Sequence, residues 1–256
     1  MDVNQSSFGA RACRMLCMCY FLLTISILGL VLAWGFCVPL YFLARLFPGL
    51  EPLADFVFQR GIELLMDLQF WLPFERRKQD ESLFLAPGPA IFMMNHRSTL
   101  DVFLILASVR GIKVFAKSSL FRFPFLGVTM WATGMIPAKR GDLKSLEKSS
   151  LKMKTLLAEG KKILIFPEMS RCEEGFVGLQ NMPLFPFKLA IDSDVSVVPL
   201  AVSGSDHSWP KGSFCVRPGR PCVLVEASPL KARMDEKSPE LRKDVSMAIE
   251  EAMSRA

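Results

Sequence analysis

The feature that most constrains this chain is the stretch over residues 15–44, thirty residues without one Asp, Glu, Lys, Arg or His, preceded by the basic pair Arg11 and Arg14. No soluble domain needs so long an uncharged run, and a bilayer does. As a helix it would be about 45 Å long against a hydrocarbon core of about 30 Å, too long for one simple span and short for two. Pro39 lies near its end. A proline there ends or kinks a helix, so the pattern predicts one main helix over residues 15–37 and a shorter one after it, or a shallow re-entrant hairpin. A cleaved signal peptide has an apolar region of about 7–15 residues, which this run exceeds.

The orientation poses a problem. The basic N-terminus is expected in the cytosol, and one full span would then carry the rest of the chain to the opposite side. A hairpin or half-inserted anchor leaves both on the cytosolic face, which is the arrangement expected here; in a bacterium this would be the inner membrane. The net charge of +6 suits anionic lipid surfaces and phosphorylated small molecules. No basic stripe interleaved with aromatics and no nucleic-acid motif accompanies it, so nucleic acid is not expected as a partner. The seven cysteines, an odd number with no C-x-x-C pair, predict reduced thiols without a zinc site or disulfide framework.

Residues 52–72 mix apolar side chains with Asp55, Arg60, Glu63 and Asp67, which predicts an amphipathic helix lying on the interface or on the following domain. From residue 73 onward, short apolar runs alternate with helical stretches. Residues 90–94, 113–116, 135–138, 163–166, 195–202 and 222–226 read as strands. A helix should follow Asp142 as N-cap and stop at Gly160, another should cover the apolar run 102–109, and a last one residues 239–253. The expectation is an N-terminal membrane-anchoring segment over residues 1–72 and, over 73–256, an α/β domain with a mixed, largely parallel sheet flanked by helices.

Between the strand ending at Met94 and the helical run from Val102 stands Asn95-His96-Arg97-Ser98-Thr99-Leu100-Asp101. A strand-to-helix turn is a natural position for an active site in such a sheet. If Ser98 caps the helix, Asp101 falls in its first turn and can bond one nitrogen of His96, leaving the other as a base. Taken alone, Ser98-x-x-Asp101 is an ordinary capping box and His96 a structural histidine.

The surrounding strings give that turn its weight. Asn95-His96-x-Ser98-x-x-Asp101 is followed by Ala116-Lys117-Ser118-Ser119-Leu120-Phe121 with Pro124-Phe125-Leu126-Gly127, by Gly134-Met135-Ile136-Pro137-Ala138-Lys139-Arg140, by Phe166-Pro167-Glu168-Met169-Ser170-Arg171 and by Val198-Pro199-Leu200. In this order and spacing, over about residues 90–204, the chain resembles the family of 1-acylglycerol-3-phosphate O-acyltransferases, and the resemblance implies a glycerol-3-phosphate acyltransferase-like fold. It also implies acyl transfer from acyl-coenzyme A or acyl carrier protein, a co-substrate and not a bound cofactor, to a lysophospholipid hydroxyl, with no metal. His96 would be the base and Asp101 its orienting partner, with Asn95, Arg97, Ser98, Lys117, Arg140, Glu168 and Arg171 around the substrate. The acceptor phosphate would fall to Lys117, Arg140 and Arg171, and an oxyanion to backbone amides after Arg97. Another lysophospholipid or an aminolipid as acceptor, and thioester hydrolysis, are the competing activities.

Two departures from the family pattern stand out. Met169 occupies a position where the family has glycine, which argues against a positive-φ backbone and predicts an altered loop. Where the family usually has Lys-Lys-Gly, this chain has Pro183-Leu184-Phe185-Pro186, with positive charge lost on the acceptor side.

Overall fold

The computed structural model describes residues 8–77, 88–139, 141–233 and 237–256. It begins with α1, a single unbroken helical run. This is α-helical over Phe8–Leu23, Gly29–Leu32 and Val38–Leu46, with π turns at Thr24–Leu28 and Ala33–Cys37. Pro39 therefore does not divide it into two helices, contrary to the sequence expectation. The π turn directly before the proline widens the helix where the ring would otherwise clash with the preceding turn. A short 3₁₀ turn at Pro48–Leu50 reverses the chain into α2 (Glu51–Asp67).

The remaining elements are β1 (Phe74–Arg77), β2 (Ala90–Met94), α3 (Leu100–Ser108), β3 (Lys113–Lys117), α4 (Leu126–Ala132), β4 (Ile136–Ala138), α5 (Leu143–Ala158) and β5 (Lys162–Ile165). They continue with α6 (Phe185–Asp192), β6 (Ser196–Ser203), α7 (Ser205–Ser208), β7 (Cys222–Glu226), β8 (Leu230–Lys231) and α8 (Ser238–Ser254). The six expected strands are present to within a residue or so at each end, and β1 and β8 are additional.

The sheet runs β1-β7-β6-β2-β5-β3-β4, with β8 beside β6. Its central strands β6, β2, β5, β3 and β4 are mutually parallel, while β7 and β8 run antiparallel to β6. The sheet is mixed and largely parallel, as the alternation of runs implies. Both of its faces are covered. In β2, Ala90, Phe92 and Met94 point into a cluster shared with α1, α2 and α3. Ile91 and Met93 point to the other face, against Met153 of α5, Phe187 of α6 and Val245 and Ile249 of α8. Such two-sided burial makes β2 a continuous apolar run instead of an alternating one.

The long apolar helix α1 is built into this core. Cys17 and Phe21 of α1 and Met66 of α2 belong to the same cluster as the sheet residues. Further along, the Tyr41 hydroxyl donates to Asp55 Oδ1 at 2.6 Å, and Lys113 Nζ of β3 donates to the same oxygen at 3.1 Å. Gly111 makes room for this carboxylate, since a Cβ at that position would lie 2.7 Å from Asp55 Oδ2. Three elements thus meet on one buried ion pair.

Candidate active site

The carboxyl ends of the parallel strands deliver the candidate residues to one edge of the sheet: β2 leads into His96, β5 into Phe166 and Glu168, and β3 ends at Lys117. After β2 the chain does not enter a helix at once. Asp101, fully buried in the first turn of α3, folds back and gathers the preceding residues around Oδ2. That oxygen accepts from Arg97 N and Ser98 N, each at 2.7 Å, and lies 2.9 Å from His96 Nδ1. A carboxylate bonded by two fixed amides cannot rotate away, so it holds the imidazole with Nδ1 as donor and presents Nε2 as a basic nitrogen.

The ring is also confined from the side. It stacks on Phe166 with centroids 3.9 Å apart and planes 22° from parallel. Its own main chain is clamped at both ends: His96 N donates to Glu168 Oε1 at 2.8 Å, and His96 O accepts from Cys172 N at 2.9 Å. Glu168 Oε2 accepts from Gln180 N at 2.9 Å and from the Cys172 thiol at 3.1 Å. Burial, helped by the Glu168 carboxylate, pushes that thiol up to about 11, which keeps it protonated and donating.

The other expected site residues divide into two groups. Asn95, Arg97 and Ser98 are buried and committed to the protein. The Asn95 amide pairs with both backbone groups of Val202, at 2.7 and 3.0 Å, tying the end of β2 to β6. The Arg97 guanidinium is turned onto the carbonyls of Phe176 and Gly178. Ser98 Oγ donates to Trp209 O at 2.7 Å and accepts from Leu100 N at 3.3 Å. The N-cap position is Thr99, one residue later than the sequence suggests, and its own side chain caps no amide.

Arg171 stands beside the turn, its guanidinium 2.9 Å from Thr99 Oγ1. Lys117 is exposed at the end of β3. Arg140 lies outside the described residues. The amides of Arg97, Ser98, Leu100 and Asp101 all donate within the turn, so the expected oxyanion role for this backbone stretch finds those donors taken. Among the described residues no group of three His, Cys, Asp or Glu side chains is placed to hold a metal, and all seven cysteines are free thiols.

Met169 overturns one expectation. Its φ is +58°, the left-handed conformation that a glycine would adopt easily, and its amide closes a turn onto Phe166 O at 2.9 Å. The methionine therefore does not exclude a positive-φ backbone at this position. Its side chain packs against the core cluster on the Ile91 and Met93 face of the sheet, and that contact offsets a conformational cost of about 1–2 kcal/mol. At the second departure, Pro186 falls in the first turn of α6, where its missing N–H costs no hydrogen bond.

Phe166, Cys172, Gln180 and Trp209 are contributors that sequence reasoning did not single out as site residues. Phe166 was within view as the residue before Pro167, but its stacking partner is set by the strand order, which no short string encodes.

Known proteins resemble this chain in sequence and in fold. The acyltransferase family profile matches residues 75–203. A chloroplastic 1-acyl-sn-glycerol-3-phosphate acyltransferase of Arabidopsis thaliana is 31% identical over 133 residues, which is 52% of this chain and 37% of the plant protein. An enzyme of the same description from Saccharomyces cerevisiae is 26% identical over 159 residues, 61% of this chain and 52% of the yeast protein. The chain therefore matches about half or less of the length of these relatives. The fold is that of the crystallised 1-acyl-sn-glycerophosphate acyltransferase of Thermotoga maritima, with TM-score 0.77, 23% identity, and coverage of 96% of this chain and 97% of that one. With the profile spanning half of its residues and the His96–Asp101 turn inside the match, the chain belongs to the acyltransferase family.

Proposed function

We propose that this protein transfers a fatty acyl group from acyl-coenzyme A or acyl carrier protein to the free hydroxyl of 1-acylglycerol-3-phosphate, giving phosphatidic acid, at a membrane surface on the cytosolic side. The observation that carries the reading is the 2.9 Å pairing of His96 Nδ1 with a fully buried Asp101 that two main-chain amides hold in place. The head group follows the relatives, which are 1-acyl-sn-glycerol-3-phosphate acyltransferases.

An alcohol is a weak nucleophile near neutral pH. His96 Nε2 removes the proton from the acceptor hydroxyl as its oxygen attacks the thioester carbonyl, and Asp101 stabilises the imidazolium that forms. When the tetrahedral intermediate collapses, the same imidazolium returns the proton to the departing thiolate. The acceptor itself makes the attack, so no acyl-enzyme is required, and Ser98 serves to hold the turn instead of acting as a nucleophile. Arg171 and Lys117, at the same edge of the sheet, supply positive charge for the acceptor phosphate. Arg140 belongs to the same group by motif. Asn95, Arg97 and Glu168 act through the turn they stabilise.

The test is acyl transfer by the purified chain from labelled acyl-coenzyme A or acyl carrier protein to a panel of lysolipids, with His96→Ala as control. A diacyl product from lysophosphatidic acid that disappears in the variant supports the reading. Free fatty acid released with no acylated acceptor would replace it with thioester hydrolysis.

A further inference from the structure

Outside the active site, the segment joining β3 to β4 displays an apolar surface that the reaction does not use. Lys117 ends β3, a 3₁₀ turn covers Ser118–Arg122, and α4 begins at Leu126. Across this short stretch Phe123 is 57% exposed, Phe125 52% and Trp131 54%, with Leu126 exposed between them. Contiguous apolar patches of this kind are rare on a water-facing surface.

The segment is built stiffly. Phe125 has φ +61° and ψ −57°, and Leu126 N bonds across it to Pro124 O at 2.6 Å, a γ-turn in a strained region for a bulky residue. Gly127 permits the turn, since a Cβ there would fall 2.2 Å from Phe121 O. The strain holds an aromatic ring half outward, with part of its surface left to the surroundings.

The patch is continuous with α1. Trp34 of α1 meets Phe125 edge-on at 5.3 Å, and Phe42 meets Trp131 at 5.8 Å. The Arg45 guanidinium lies 3.8 Å from the Trp131 ring centroid. A tryptophan covered by an arginine, beside exposed phenylalanines and an exposed Arg122, is the arrangement that suits the boundary between acyl chains and anionic headgroups.

We infer that the catalytic domain makes its own contact with the bilayer, through Phe123, Phe125, Leu126 and Trp131, alongside the α1 anchor. The contact draws the carboxyl edge of the sheet, through Lys117 directly before it, down to the headgroup level where a lysolipid presents its hydroxyl. It rests on reading α1 as the anchor, and the experiment separates the two.

The full chain is reconstituted into vesicles of phosphatidylcholine and phosphatidylglycerol with p-benzoylphenylalanine placed at Phe125, at Leu30 on the exposed side of α1, or at Met247 on α8 across the sheet. Lipid adducts are read by mass spectrometry after illumination. Lipid labelling at Leu30 and Phe125 but not at Met247 is expected. Labelling at Leu30 without Phe125 overturns the contact and keeps the anchor; labelling at neither overturns both. Protein-to-protein cross-links at Phe125 assign the patch to a second copy and also overturn it. The double variant Phe123→Glu, Phe125→Glu should lose on the order of tenfold in kcat/KM for long-chain lysolipid in vesicles and keep its rate on a short-chain, water-soluble acceptor. Equal loss on both acceptors would place these residues in the chemistry instead.

Discussion

Replacing Asp101 by asparagine separates what this carboxylate does for the fold from what it does for the reaction. Its Oδ2 accepts from Arg97 N, Ser98 N and His96 Nδ1, while Oδ1 is buried without a partner. Asparagine keeps an acceptor for the two amides, so the turn survives. It removes the negative charge that faces the imidazolium. At a charge separation of about 4 Å and an effective dielectric constant of about 20, that interaction amounts to about 4 kcal/mol, or roughly a thousandfold in rate. If the side-chain NH₂ turns towards Nδ1 instead, the imidazole is forced into the tautomer with its proton on Nε2, and the base is lost by another route.

The assay is steady-state acyl transfer with a thermal melt on the same preparations. Asp101→Asn should lose about 10³ in kcat with little change in melting temperature. Asp101→Ala should lose a similar amount and also be destabilised by about 2–6 kcal/mol, because two buried amides are left unpaired at about 1–3 kcal/mol each. Combining Asp101→Asn with His96→Ala should cost little beyond His96→Ala alone, since the two act as one unit. Retention of a third or more of the activity by Asp101→Asn, or full multiplication of the two defects, would refute the pairing as the source of the base.

Further consequences follow from the same contacts. Glu168→Gln leaves either His96 N or the donors to Oε2 poorly matched, and should destabilise the fold by about 1–3 kcal/mol and lower kcat, read by melting and turnover together. Phe166→Ala removes the surface against which the imidazole stacks, and kcat should fall about tenfold with KM nearly unchanged. The Cys172 thiol, held near 11 by burial and by Glu168, stays protonated well above neutral pH. Treatment with iodoacetamide at pH 8 should therefore spare Cys172 in the folded protein and label it after denaturation, with peptide mapping as the readout. Asp55→Ala strands the buried Lys113 charge and should cost about 3–5 kcal/mol, most of it recovered in the double variant Asp55→Leu, Lys113→Met, measured by chemical denaturation.

What the sequence made legible depended on whether the deciding interactions are local. The central strands could be read because burial on both faces turns them into apolar runs, as in the 90–94 stretch. β1 escaped because its residues, Phe74-Glu75-Arg76-Arg77, are mostly charged and it pairs only with β7 at the sheet edge. His96 and Asp101 were visible as a spaced pair. The two main-chain amides that also donate to Oδ2 were not, since they depend on how the chain turns before α3. Methionine at position 169 argued against a positive φ on intrinsic preference alone. The compensating contact is with a core cluster assembled from several strands and helices, which settles what the local preference leaves open.

The anchor offers the clearest case of information that only the assembled structure holds. Read along the chain, residues 15–44 look like a membrane segment that could be exchanged for any other. In the fold, the Phe21 ring meets Trp71 at 5.7 Å and Trp209 at 5.3 Å, both edge-on. The Trp209 carbonyl accepts the Ser98 hydroxyl, and Ser98 N is one of the two amides that fix Asp101. A residue of the anchor is thus three contacts from the carboxylate that orients the base, and the path runs through buried, close-packed groups that move little independently. An α1 fully withdrawn into a bilayer as a separate span would have to give up Phe21 and expose Trp71 and Trp209. A helix lying along the domain, with one face on the protein and the other in lipid, keeps both sets of contacts. The packing thereby ties α1 to the groups that fix Asp101, so its position on the domain and the geometry of the base are set together.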